Sequence, residues 1–230
     1  MRLLLALGLD EAVKSRAYQA LLDAGPVRMH VLPAEPSRSE LDPILNARDG
    51  ATLVVAGADP GLNTVVTRLV RRGESADLPM AVLPSDGSAL GRLLGLPTGI
   101  TAAARVAVTG EPTRRGLVRD DHGGVLLTGA TLSPWQGRRF GARAYTDETE
   151  VANRLIRCLA VRPGDGCLRT TVTAGRWPGL PWSTRTRVGR AVTVSCEQAR
   201  LVIDGITHPR PQTRRTWWHE PDLWQVMLPR

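Results

Sequence analysis

The run Thr52-Leu-Val-Val-Ala56 is apolar, β-branched and uninterrupted, which suits a strand covered on both faces rather than one showing a face to water. Such a strand needs helices on both sides, and the first hundred residues supply them in alternation. Leu3 to Leu7 reads as a strand. Asp10 to Asp23 has helical spacing through Val13, Tyr18, Leu21 and Leu22, with Ala24-Gly25 as its stop. Val27 to Leu32 reads as a second strand, followed by a helix from about Ser39, whose hydroxyl can cap it, to Arg48. Gly57 to Gly61 reads as a loop, and Leu62 to Arg72 as a helix with Val65, Val66, Leu69 and Val70 facing inward. Met80 to Leu83 makes a further strand and Ala89 to Leu94 a short helix. This alternation predicts a mostly parallel sheet in a three-layer α/β domain, with ligands bound where strands end and loops enter helices.

From about residue 114 the texture changes to short alternating runs separated by Gly, Pro and Arg: Val125 to Leu127, Leu168 to Thr173, Ala191 to Val194, Leu201 to Ile203 and Trp224 to Leu228. These predict an antiparallel β domain, with Ala152 to Leu159 as its one helix. The expected division is an α/β domain over 1–112 and a β-rich domain over 113–230.

Charge divides along the same line. Residues 1–110 carry 11 basic and 11 acidic side chains, whereas 111–230 carry 19 and 11, which accounts for the net +8. All six tryptophans follow position 130, and Lys14 is the only lysine. A basic, Trp-rich half suits an anionic lipid surface, and nucleic acid is the electrostatic competitor. An Arg-rich solvated surface over a Trp-containing core fits equally well. Nucleic acid ranks low, because no recognised nucleic-acid motif is present. Cys158, Cys167 and Cys196 form no CxxC pair, and with His30, His122, His208 and His219 they give no metal-ligand spacing. No apolar run approaches the roughly 20 residues of a spanning helix, so the expected location is cytoplasmic, with a peripheral membrane contact as an option.

A collinear series of motifs then resembles the bacterial diacylglycerol kinase family. Val54-Val-Ala-Gly-Ala-Asp-Pro-Gly-Leu-Asn-Thr-Val-Val66 is similar to that family's strand, GGDGT loop and helix. Val82-Leu-Pro84 and Leu94-Gly-Leu-Pro97 bracket the place of its second, GTxND-type loop, and Thr101 to Val108 matches the helix placed next. Asp120-Asp-His-Gly-Gly124 looks like the crossing into the second domain. Gly189-Arg-Ala-Val-Thr-Val194, Val202-Ile-Asp-Gly205 and Met227-Leu-Pro-Arg230 resemble its closing strands. The resemblance covers nearly the whole chain but implies a shortened second domain, with a block missing between Pro178 and Gly189.

The resemblance implies ATP and Mg²⁺ as cofactors of an active member and a diacylglycerol-like hydroxyl as acceptor. It implies nucleotide-binding roles for Gly57, Asp59, Gly61, Asn63, Ser85, Gly87 and Ser88, and a catalytic role for Asp204; it implies no metal site. Each element departs from the family. A phosphate loop aims several backbone N–H groups at one anion. Here Ala58 penalises positive φ, and Pro60 removes a donor. Gly61 stands at the family's threonine and Thr64 at its glutamate. Asp86 puts a carboxylate into the second loop, where charge repulsion opposes a nucleotide. Ile206 replaces the acid of the family's DGE turn, and isoleucine accepts no proton. The early Asn-Pro-x-Ser-Gly segment is replaced by Gly8-Leu-Asp-Glu11. Four altered elements together predict a kinase-like protein with lost or changed phosphoryl transfer, with an active lipid kinase or a non-catalytic lipid- or protein-binding module as alternatives. Asp86-Gly87 and Asp204-Gly205 also fit plain turns. An incomplete β domain would leave edge strands that favour a homodimer.

Overall fold

The computed structural model describes residues 1–175 and 182–230. The chain divides into two units, Met1–Arg115 with Asp222–Arg230, and Gly116–Pro221. The last nine residues, expected in the β-rich domain, therefore fall with the first unit.

In the first unit β1 (Arg2–Leu7), α1 (Glu11–Leu22), β2 (Val27–Leu32), α2 (Arg38–Asn46), β3 (Thr52–Gly57), α3 (Asp59–Arg71), β4 (Met80–Pro84), α4 (Ala89–Leu93) and α5 (Ile100–Thr109) follow one another. The strands pair in parallel in the order β2-β1-β3-β4, and Val226 near the C-terminus pairs in parallel with Met80. Strands β1, β3 and β4 are buried nearly throughout, as the uninterrupted apolar runs require. Leu4, Val54, Ala56, Ala81 and Leu83 on one sheet face pack with Ala17 and Leu21 of α1 and Ala103, Ala104 and Ala107 of α5. Each Leu or Val so buried contributes about 1.5–3 kcal/mol.

Helices α2 and α3 are clasped by charge. Arg68 forks onto Asp42 through Nε at 2.6 Å and Nη2 at 2.8 Å. Arg48 and Arg72 share Glu74 at 2.8 Å each. The Arg68 hydrogen bond holds the Asp42 carboxyl below its usual range. The cap of α2 is Ser37, two residues before the expected Ser39; the Glu40 carboxylate accepts from the Ser37 amide and hydroxyl, both at 2.7 Å.

The second unit is antiparallel. Its elements are β5 (Glu111–Asp120, entering from the first unit), β6 (Val125–Leu126), β7 (Ala130–Pro134), β8 (Phe140–Thr146), β9 (Thr149–Ile156), β10 (Cys158–Pro163), β11 (Leu168–Gly175), β12 (Trp182–Gly189), β13 (Ala191–Ile203), β14 (Ile206–Thr207) and β15 (Gln212–Leu228, continuing into the first unit). The path β12-β11-β10-β7-β13-β15 carries β8 and then β9 on β13, with β14 also on β13. Two expectations change here. Ala152 to Leu159 is the end of β9 and the start of β10, not a helix. Ala191–Val194 and Leu201–Ile203 are two ends of one 13-residue strand, irregular between Ser195 and Ala199. The core gathers Phe140, Ile156, Leu159, Val161, Leu168, Val192, Val194, Leu201 and Trp217. Trp217 and Trp224 are buried at 0% and 2% exposure, so these two tryptophans belong to cores and not to a surface. The block expected to be missing between Pro178 and Gly189 falls partly outside the described residues, as does Trp177; Trp182–Gly189 is strand β12.

Candidate functional site

In the first unit β1 leads leftward through α1 to β2, while β3 leads rightward through α3 to β4. The carboxyl ends of β1 and β3 therefore flank the topological switch point, where an open α/β sheet binds its ligand. The residues found there are Leu7 and Gly8 at the end of β1 and Gly57 to Gly61 from the end of β3 into α3, with Ser85 to Ser88 following the neighbouring β4.

The expected loop after β3 is almost absent. Gly57 ends the strand, Ala58 caps the helix in extended conformation, and α3 begins at Asp59 with Pro60 in its first turn. Proline is favoured there because its missing N–H would have no helical partner and its φ suits the helix. The same proline that removes a phosphate donor thus starts the helix three residues before the expected Leu62.

The glycines serve close packing. A Cβ on Gly61 would lie 2.3 Å from the Ala34 carbonyl oxygen and 3.0 Å from Leu7 Cδ1. On Gly57 it would meet Leu7 Cβ at 2.9 Å, and on Gly8 the Cβ of Ala34 at 2.7 Å. The backbone at Ala34, in the β2–α2 connection, thus fills the space beside the switch point. Nothing in the sequence marked Ala34, because an alanine in a Pro-rich connection carries no motif.

The two loops are tied to each other. Asp59 accepts from the Ser88 hydroxyl, from the Ala89 amide at 2.8 Å and from the Leu90 amide at 3.4 Å. Ser88 in turn caps α4, accepting from Gly91 N at 2.9 Å, and Ser85 N donates to Gly57 O at 3.0 Å. Asp59 and Ser88, from separate motifs, are thus in direct contact. The carboxylate engages the first amides of α4, where a helix N-terminus favours negative charge. Asn63 is buried in α3 and accepts from Thr67 at 3.3 Å. Gly87, at φ +79°, forms the turn before Ser88, and its carbonyl accepts from Arg92.

Asp204 lies in the second unit, in a two-residue turn with Gly205 joining β13 to β14. Both turn residues have positive φ, 48° and 89°. Its carboxylate is 4% exposed and accepts from the amides of Leu127 (2.7 Å), Thr128 (2.7 Å) and Gly129 (2.8 Å) and from the Thr128 hydroxyl (2.8 Å). Burial pushes its carboxyl above the ordinary range, against the pull of these donors. Four donors around one carboxylate make an anchor for the segment after β6.

A second buried cluster escaped sequence reasoning. Arg215, 1% exposed, meets Asp120 at 3.5 Å and donates to Gln212 at 2.8 Å. Asp120 also accepts from the amides of His122 and Gly124. Burial, Arg215 and His122 push the His208 imidazole below its usual range, against the pull of Asp120.

Beside the place implied for ATP, the Ala89 and Leu90 amides at the start of α4 donate to Asp59, and the Ala34 backbone packs next to Gly61. No group of three or more His, Cys, Asp or Glu side chains able to hold a metal occurs among the described residues. No described helix is long and apolar enough to cross a membrane.

No family model and no curated protein matches the sequence. Solved structures do match in shape. A candidate diacylglycerol kinase from Bacillus anthracis str. Sterne aligns with TM-score 0.78 and 12% identity, covering 99% of this chain and 97% of that one. An NAD kinase from Archaeoglobus fulgidus in complex with ATP aligns at TM-score 0.64 and 18% identity, covering 99% and 93%. Yeast NADH kinase complexed with NADH aligns at 0.58 and 8%, covering 98% and 82%. With its parallel first unit and antiparallel second one, the chain has the fold of the diacylglycerol kinases and NAD kinases.

Proposed function

We propose that this chain is a kinase-fold protein that does not carry out phosphoryl transfer. The observation that supports the reading is Pro60 in the first turn of α3, where it removes an amide donor, with the Ala34 backbone packed against Gly61. Phosphoryl transfer depends on positioning and on neutralising phosphate charge. A loop that keeps the family's aspartate at Asp59 but loses an amide at Pro60 and the threonine at Gly61 offers a phosphate fewer donors. Asp204, whose carboxylate is surrounded by four donors, is poorly placed to take a proton from an acceptor hydroxyl.

The alternative reading is an active, ATP-dependent lipid kinase acting on a diacylglycerol-like hydroxyl. It draws on the likeness to diacylglycerol kinase and NAD kinase structures, one of them with ATP, but fold alone does not carry function. A calorimetric titration with ATP and Mg²⁺, run beside Asp59→Ala, separates the two. Absence of saturation up to millimolar ATP is expected. Micromolar binding that is lost in Asp59→Ala would overturn the proposal and make a lipid-substrate screen the next step.

A further inference from the structure

Among the described residues, strands β9 and β12 each pair with one neighbour only, β8 and β11 respectively, and so form two edges of the second unit. Arg154 stands opposite the buried Ala142, and Arg185 opposite the buried Val172. Directly opposed residues of an antiparallel pair share a face, so both arginines lie on the face that carries the core. Both are nonetheless exposed.

There they line one cavity of about 320 Å³ with Glu150, Val151, Ala152 and Asn153. That volume is at the small end for small-molecule sites, which run from about 300 Å³ upward. The cavity's charge is unbalanced. Glu150 is already engaged, accepting from Arg143 Nε at 3.1 Å and from the Tyr145 hydroxyl at 3.0 Å. Arg154 and Arg185 make no ion pair among the described residues, and Glu197 in the adjoining groove pairs with neither. Two uncompensated guanidinium groups therefore share one concave space. A guanidinium presents a planar fork of donors that matches phosphate oxygens, and a phosphomonoester carries about −1.5 to −2 at neutral pH.

We propose that this cavity binds a phosphomonoester dianion, held between Arg154 of one edge strand and Arg185 of the other. Matching two positive charges favours such a dianion over a monocarboxylate. All residues concerned lie in the second unit, so the site stands apart from the question of nucleotide binding in the first.

The test is a titration of the whole protein with inorganic phosphate, followed by NMR at the arginine Nε–H resonances. Arg154 and Arg185 are expected to shift together and saturably, and Arg154→Gln or Arg185→Gln to weaken binding about tenfold. Arg169→Gln removes the same charge from the opposite face of β11 and is expected to leave binding unchanged. Vesicles of phosphatidylcholine with and without phosphatidic acid form the second arm. Sedimentation that requires phosphatidic acid and is reduced by Arg154→Gln assigns the phosphomonoester to a lipid headgroup. Phosphate binding without vesicle binding assigns it to a soluble ligand. Shifts absent from both arginines, or an equal loss in Arg169→Gln, would overturn the site.

Discussion

The carboxylate of Asp59 accepts the amide of Ala89 at 2.8 Å, fastening the start of one helix to the start of another across two neighbouring strand ends. This contact is a cap for α4, so its removal has a structural cost separate from any effect on ligands. Asp59→Ala is expected to destabilise the protein by about 1–2 kcal/mol in urea unfolding, and Asp59→Asn, which keeps one acceptor oxygen, by less. Equal stability of all three proteins would show that the contact carries no weight.

Gly61→Ala places a methyl group 2.3 Å from the Ala34 carbonyl oxygen, which is backbone and cannot rotate away. A loss of about 1–3 kcal/mol is expected from the forced displacement. A glycine serving only to admit a phosphate would tolerate alanine without loss of stability in the unliganded protein.

Asp204→Ala removes the acceptor for three amides and a hydroxyl in a buried place, and the expected cost is about 3–5 kcal/mol. Asp204→Asn tolerates the φ of +48° and keeps one oxygen, so its loss should be smaller. Thermal unfolding distinguishes this anchor from a catalytic base, whose replacement by Asn would leave stability nearly intact.

The depressed His208 imidazole gives the protein an acid-sensitive limb. Because its folded pKa lies below the unfolded one, the unfolded chain binds the proton first as pH falls. Stability is therefore highest above the ordinary histidine value, near 6.5, and declines as pH falls from there through the lowered folded value. His208→Gln should flatten the dependence of unfolding free energy on pH in that window. The lowered carboxyls of Asp42 and Glu74 add a separate loss further down, below about pH 4.

The Cys196 thiol is pushed up to about 11 by burial and by the neighbouring Glu197 carboxylate. At pH 8 only about a thousandth of it is thiolate, the nucleophilic form. Alkylation by iodoacetamide, followed by peptide mass spectrometry, should therefore find Cys196 nearly unmodified at pH 8. Its rate should still be rising at pH 10.

The strands of the first unit were legible because their burial on both faces leaves a continuous apolar run, which needs no knowledge of neighbours. The Asp204-Gly205 turn was legible for a similarly local reason: two residues with positive φ between β-branched strands have few other uses. The stretch from Ala152 to Ile156 was not. Its buried residues are four apart, a spacing that fits both a helix face and alternate positions on a strand. Pairing of Ala152 with Ala144 and of Ile156 with Phe140 decided for the strand.

By itself the sequence determined the parallel sheet and the change to antiparallel strands. Tertiary structure alone decided which partners the candidate polar residues find. Asp59 caps a helix 30 residues further on, Asp204 receives three amides more than 70 residues earlier in the chain, and Ala34 sits beside the switch point. Hydrophobic periodicity is a property of neighbouring residues and is written along the chain. The partner of a carboxylate is set by which strand ends the sheet order brings together, and no local pattern records that.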